Sequence, residues 1–508
     1  MDAESYDEFQ RALCQADPRL KCAEQGAYSA ASTWLPWNRA TPRVVALHAD
    51  LEGSFGLPKE YRNSDVLQSH FKRRTHLKTT PQRSVYILEA LSPDFIAVLG
   101  SHFHVHPALF IDHERLVAFH NRATWEGSGL PFLPSAICGR DYVSLKYHEP
   151  LVLSALPTKF RNLCNLSGRH IAVTRIMGHF SEVGVARRKC TFWSRENKSG
   201  GWDCLIICDP SIHRVLTDYS GNTGYNVMTS PYNNGYIDFV PHSDQIRSRS
   251  GPPRTSFLDD IVFYIRNHSS LLDLTDPKSL RILAEKIVAS HYLRLSLFLL
   301  TVVDQMQFGL SRQQDVTSFD IAAAEQQWSD MQALQRRVSE YKDDLEAIML
   351  QLRISSEAPN LKYATDWRDS EADYQFLYLR FKELNVRVDD LNDSLATLAV
   401  LTNNRQTVRM QGLALEAADR SAREAKSVKV LTILGVVFIP LGYVATLFSM
   451  ADSYRPGGGL FWVYIIVSLP LIGLVTCGYY MLELEYTDRI IKLCRAATIA
   501  LKENLLDK

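Results

Sequence analysis

The spacing of apolar positions divides the chain into three textures. From Ser84 the positions alternate: SVYILEAL predicts a strand, and Leu151 to Leu156 and His170 to Met177 predict two more. Arg188 to Ser194 and Trp202 to Cys208 flank ENKSGG, a polar, glycine-containing connection, and predict a hairpin. SPDFIAVLGSHF carries a helix-start signal in Ser92 and Asp94, with Gly100 as its stop. Residues 84–240 are therefore expected to form a mixed α/β domain. Residues 1–83, rich in Ala, Pro, Arg and Ser, predict an irregular leader whose one strand is Arg43 to Leu51.

The second texture has helical period. After 241–256, whose Gly-Pro-Pro and lack of apolar rhythm predict a linker, residues 257–355 are expected to be helices. Val338, Tyr341, Leu345, Ile348 and Leu352 repeat at steps of three and four, the seam of a helix packed along a neighbour. A second seam starts at Leu377, Phe381, Leu384, Val388, Leu391 and Leu395. It belongs to a predicted stalk helix, 370–427, with no Gly-Pro break before the third texture. A helix from about Ser370 to Met450 would run to roughly 80 residues and ~120 Å, too long to stand alone. Side-by-side packing of several copies is the expected remedy, with a broken helix in a monomeric bundle as the alternative.

The third texture is continuous. The runs 428–450 and 460–482 are each about 23 residues, ~34 Å as helix, enough to cross a ~30 Å hydrocarbon core. The first has Lys429 as its one charge and the second has none, so two transmembrane helices are predicted, joined by an outer loop, 451–459. Arg420, Arg423, Lys426 and Lys429 precede the first run, and Arg489, Lys492 and Arg495 lie in the tail, 483–508, whereas the loop carries only Arg455. Both termini are therefore expected in the cytosol. Phe461, Trp462, Tyr464, Tyr479 and Tyr480 lie where headgroup-level aromatics belong.

Composition adds exclusions. Lys+Arg and Asp+Glu number 56 each, so charge points to no nucleic-acid partner. The opening MDAESYDEFQRALCQAD lacks the basic start and apolar run of a secretory signal. Nine cysteines without paired spacings predict no disulfide framework, and Cys204 and Cys208 should be buried. No Walker loop, G-x-S-x-G elbow or H-E-x-x-H occurs, so no enzyme is expected. His102, His104 and His106 would share one face of a strand, with Asp112 and His113 behind, a spacing that could bind zinc or simply line an exposed face.

VKVLTILGVVFIPLGYVATLFSM resembles the first membrane helix of the CorA family of divalent-cation channels, in its KVLTI and its F-x-P-L. ILEALSPDFIAVLGSHFHVHPALFIDH is similar to a segment of the fungal CorA-like branch. The resemblance implies an α+β cytosolic domain, long stalk helices and two C-terminal transmembrane helices, assembled as a homopentamer in a lipid bilayer, with the plasma membrane as the expected location. It implies magnesium as the conducted and regulatory cation and no organic cofactor. Carried down the helix, the family's pore face falls on Val428, Leu431, Gly435, Ile439, Gly442, Thr446 and Ser449. The family's Gly-Met-Asn signature stands here as Ser449, Met450 and Ala451, followed by Asp452, so a ring of asparagine amides has no counterpart. By the same resemblance, Asp389 and Asp390 are candidates for a regulatory metal site. A non-conducting scaffold or cation sensor with a degenerate pore is the rival expectation.

Overall fold

The computed structural model describes residues 2–16, 41–50, 53–75, 82–114, 133–158, 161–167, 169–176, 179–197, 200–217, 224–228, 239–240, 251–252, 256–314, 321–357, 367–449 and 459–481. The chain divides into two compact units, Met1–Ala399 and Val400–Lys508.

The first unit is built on ten strands, β1 (Arg43–Ala49), β2 (Lys59–Tyr61), β3 (Arg83–Glu89), β4 (Tyr142–Leu153), β5 (Arg161–Cys164), β6 (His170–Ile176), β7 (His179–Glu196), β8 (Trp202–Cys208), β9 (Arg214–Leu216) and β10 (Gly224–Met228). Their order is β2-β1-β3-β8-β7-β4-β10-β9-β5-β6, and β6 pairs back onto β7, closing the second half into a ring. The expected hairpin is present: β7 and β8 are antiparallel, Glu196 opposite Trp202. Among the described strands only β3 and β8 run parallel; β8 lies inside the sheet between β3 and β7, and all seven of its residues are buried.

Alternation along these strands feeds two cores. Val45, Leu47, Val85, Ile87, Cys204, Ile206 and Cys208 face a helical layer. Val44, Ala46, Tyr86, Leu88, Leu205 and Ile207 face the opposite layer, made of α1 (Ala3–Ala16), α2 (Ser64–Thr75), α3 (Pro93–Phe103) and α4 (Ala108–Glu114). A short α5 (Pro134–Cys138) precedes β4. The ring has its own apolar centre, including Leu153, Ile171, Val173 and Val215. The irregular leader is thus corrected: α1, β1, β2 and α2 all lie before residue 83, and β1 pairs with β3 from Arg43↔Glu89 to Ala49↔Arg83. Its polar composition hid short, one-faced elements that are stable only against the sheet. The predicted linker, 241–256, lies mostly outside the described residues.

The helical layer comprises α6 (Phe257–Asn267), α7 (Arg281–Gln314), α8 (Ile321–Leu352) and α9 (Glu371–Phe448). Lys286 meets Asp373 and, further along both helices, the Arg380 guanidinium donates to Ser296, so α7 and α9 run parallel. Four hydrogen bonds fix α8 antiparallel to α9: Gln332 to Asn392 at 3.0 Å, Gln335 to Asp389 at 2.6 Å, Ser339 to Asn385 at 2.9 Å, and Tyr378 to Glu346 at 2.6 Å. Each step forward on one helix is a step back on the other. Beneath this polar ladder lie the two expected seams, with Val338, Leu345, Phe381 and Val388 fully buried. α8 also grips the sheet, Asp344 accepting from Lys146 at 2.8 Å and from His148 at 2.7 Å.

Candidate pore

Among the described residues, three helices are long and apolar enough to cross a bilayer: Arg281–Leu310 within α7, α9, and α10 (Phe461–Met481). They differ in what covers them. Most of α7's apolar window is buried, as are its Glu285 and Lys286. Glu285 accepts from Arg281 and Ser370, both at 2.5 Å. The apolar windows of α9 and α10 are 11% and 6% buried.

Within the second unit, α10 touches one side of α9. Val444 and Ser468 are buried, and the rings of Phe448 and Tyr464 meet edge to face with centroids 6.2 Å apart. On the seven expected pore positions, Gly435 is half-buried and the other six are exposed. At ~100° per residue the centre of that face lies roughly 155° around the helix from the side that Val444 and Phe448 turn to α10. Its two polar side chains are satisfied locally. Thr446 donates to the Gly442 carbonyl at 2.9 Å and to that of Tyr443 at 2.8 Å, and Ser449 donates to Thr446 at 3.0 Å. Each hydroxyl keeps acceptor capacity for water. Met450, Ala451 and Asp452, like most of the outer loop and the tail, lie outside the described residues.

Asp389 accepts from Gln335 of α8 through one oxygen and, at 3.2 Å, from Asn385 one turn back on α9 through the other, so one of its oxygens bridges the two helices. A metal ion there would compete with both bonds. Asp390 is exposed. The histidine triad is corrected. His102 ends α3 and stacks on Phe71 with centroids 3.8 Å apart, His104 adopts φ 53° as the helix cap, and His106 accepts from the Ala108 amide. A helix end followed by a left-handed residue replaces the strand, because Ser92, Pro93 and Asp94 start a helix that Gly100 does not stop. Among the described residues no group of three His, Cys, Asp or Glu side chains could hold a metal.

One charged cluster escaped the sequence reading. Asp209, fully buried, pairs with Arg169 at 2.6 Å, accepts from the Lys189 amide at 2.8 Å and lies 3.4 Å from His113. Burial works to raise the Asp209 pKa, but Arg169, His113 and Arg188 outweigh it and hold the carboxyl below its usual range. Burial brings His113 down to about 4. These residues come from α4, the β5–β6 turn, β7 and the end of β8, so no spacing could have announced them. Cys204 and Cys208 are buried as expected, their thiols pushed well up by burial.

No family model matches the chain, and neither does any curated protein. Among solved structures, it is similar to the CorA magnesium transporter from Methanocaldococcus jannaschii at 10% identity and a TM-score of 0.31, over 85% of this chain and 96% of that one. It is similar to full-length CmaX at 9% identity and a TM-score of 0.29, over 87% and 98%. Scores this low leave the functional reading to rest on the chain's own residues.

Proposed function

We propose that this chain is one subunit of a homopentameric, two-pass channel for a divalent cation, magnesium first, whose pore is lined by Val428, Leu431, Gly435, Ile439, Gly442, Thr446 and Ser449 of α9. The observation that carries it is the position of this face on the side of α9 away from α10. In a lone hairpin Thr446 and Ser449 would sit in lipid, and packing copies around this face turns them to water instead. The count of five and the ion come from the resemblance of KVLTI and F-x-P-L to the CorA family. Burial of α7 with its Glu285 and Lys286 supports two spans rather than three, and the Lys/Arg asymmetry supports cytosolic termini. Magnesium is cargo, held through its hydration shell, because it gives up water reluctantly.

The rival, a scaffold or sensor that does not conduct, is favoured by one observation: between Val428 and Thr446 the face carries no polar side chain, and such a stretch can dewet. Magnesium flux into proteoliposomes decides between them, with native mass spectrometry for the subunit count. Flux above empty vesicles from a pentamer supports the channel. A pentamer with background flux supports the scaffold, and a monomer overturns the channel.

A further inference from the structure

Every described side chain of α9 from Val400 to Leu434 is exposed. A helix that stands alone in water is polar all round. This one is not: Leu401, Val408, Met410, Leu413 and Leu415 are each at least half exposed. Continuing the pore face toward the N-terminus by alternating threes and fours gives first small residues, Ala425, Ser421, Ala418 and Ala414, and then three polar ones, Gln411, Thr407 and Asn404. No charge falls on this stripe. At 3.5 residues per turn, Leu401, Val408 and Leu415, continued by Ala422 and Lys429, form a shoulder ~75° to one side of it, and Asn403, Met410, Ala417 and Glu424 form the other. Arg405, Arg409, Arg420, Arg423 and Lys426, together with the acids Glu416 and Asp419, lie within ~55° of the opposite side. A neutral stripe, shoulders that are mainly apolar from Leu401 to Leu415, and a charged back suit a helix in a ring of its own copies: shoulders meet, the stripe faces the axis, and the charges of the back stay in water.

From this, and resting on the channel reading above, we propose that Asn404, Thr407 and Gln411 form a belt on the cytosolic side of the pore that holds a divalent cation through its water shell. Each Asn or Gln amide offers two donors and an acceptor to first-shell water. Thr407 donates to the Asn403 carbonyl at 2.9 Å and keeps its acceptor lone pairs. Between Ser421 and Thr446 the face has no polar side chain, and Ala451 leaves the outer mouth without an amide. The belt supplies the amide rings that the mouth lacks, and selection moves to the inner end.

Two measurements on the full-length protein in proteoliposomes test this. Asn404→Cys and Gln411→Cys should cross-link between copies under mild oxidation, above the wild-type background, and Arg409→Cys should not; the reverse pattern, or none, overturns the belt. In variants shown by native mass spectrometry to assemble like wild type, Asn404→Leu with Gln411→Leu should lower magnesium flux relative to potassium flux at least tenfold. A conducting wild type with an unchanged ratio in the double variant overturns the belt and leaves the channel reading standing. A wild type silent to every cation removes the channel reading, and the belt with it.

Discussion

The packing of α1 on α3 rests on one side chain and the absence of another. Tyr6 is 2% exposed and its hydroxyl donates to the Val105 carbonyl at 2.8 Å. It can lie there because residue 100 is glycine: a Cβ on Gly100 would stand 2.1 Å from Tyr6 Cζ and 2.3 Å from its Cε1. Gly100→Ala must therefore expel the ring. Losing a buried aromatic costs about 3–5 kcal/mol when the site cannot collapse, and alanine returns up to ~1 kcal/mol of helix propensity in α3. The single variant should weaken docking of α1 by about 2 kcal/mol, and Tyr6→Ala by about 3 kcal/mol. In the Tyr6→Ala background nothing is left to collide with, so Gly100→Ala should become neutral or stabilise by ~1 kcal/mol. The two changes are then non-additive by roughly 2–3 kcal/mol, far beyond the ~0.5 kcal/mol scatter of independent sites. Amide hydrogen exchange across residues 3–16 in the full-length protein reads this directly, each 1.4 kcal/mol being about tenfold in protection. Additive effects, or unchanged protection in Gly100→Ala, would refute the knob-in-hole account.

Other outcomes follow from the same packing. Asp209→Asn leaves Arg169 buried against a neutral amide and should destabilise the first unit by about 3–5 kcal/mol, read as loss of exchange protection in β6 and β7. His48, His70 and His102 are held at about 4, first by burial and then by neighbours that include Arg74, so the unfolded chain binds more protons than the folded one between that value and the ordinary 6.5. Their contribution is complete above pH 6.5 and is lost as pH falls toward 4; exchange protection of α2 should fall in that window, and His102→Phe, which keeps the stack on Phe71, should make the fall shallower by one proton. At the outer mouth, Ser449→Gly with Ala451→Asn should raise magnesium flux if only the mouth departs from the family; equal background flux from two inserted pentamers would show that it is not the mouth alone.

What could be read from the sequence tracks how locally each feature is determined. The α8 and α9 seams were legible because a helix writes its buried face at steps of three and four, and Val338, Leu345, Phe381 and Val388 needed only each other to be inferred. The β7–β8 hairpin was legible for the same reason, its register set by one short connection. The leader was misread because β1 and α2 are specified by distant partners: Val45 and Leu47 are core residues only once β3 lies beside them. The histidines were misread because alternation over five residues is compatible with a helix end, and His104 at φ 53° turns the chain where a strand would have continued. The pore face occupies a third position. Its phase came from the resemblance to the CorA family and not from spacing, and in the proposed assembly its burial would depend on further copies of the chain. That is why the charged back of α9 matters: Arg409, Glu416 and Arg423 repeat on a 3.5-residue period, and their side faces away from Asn404 and Gln411. A helix built for solvent on all sides has no reason to keep every cation off one stripe, whereas a helix whose stripe carries a cation between copies does.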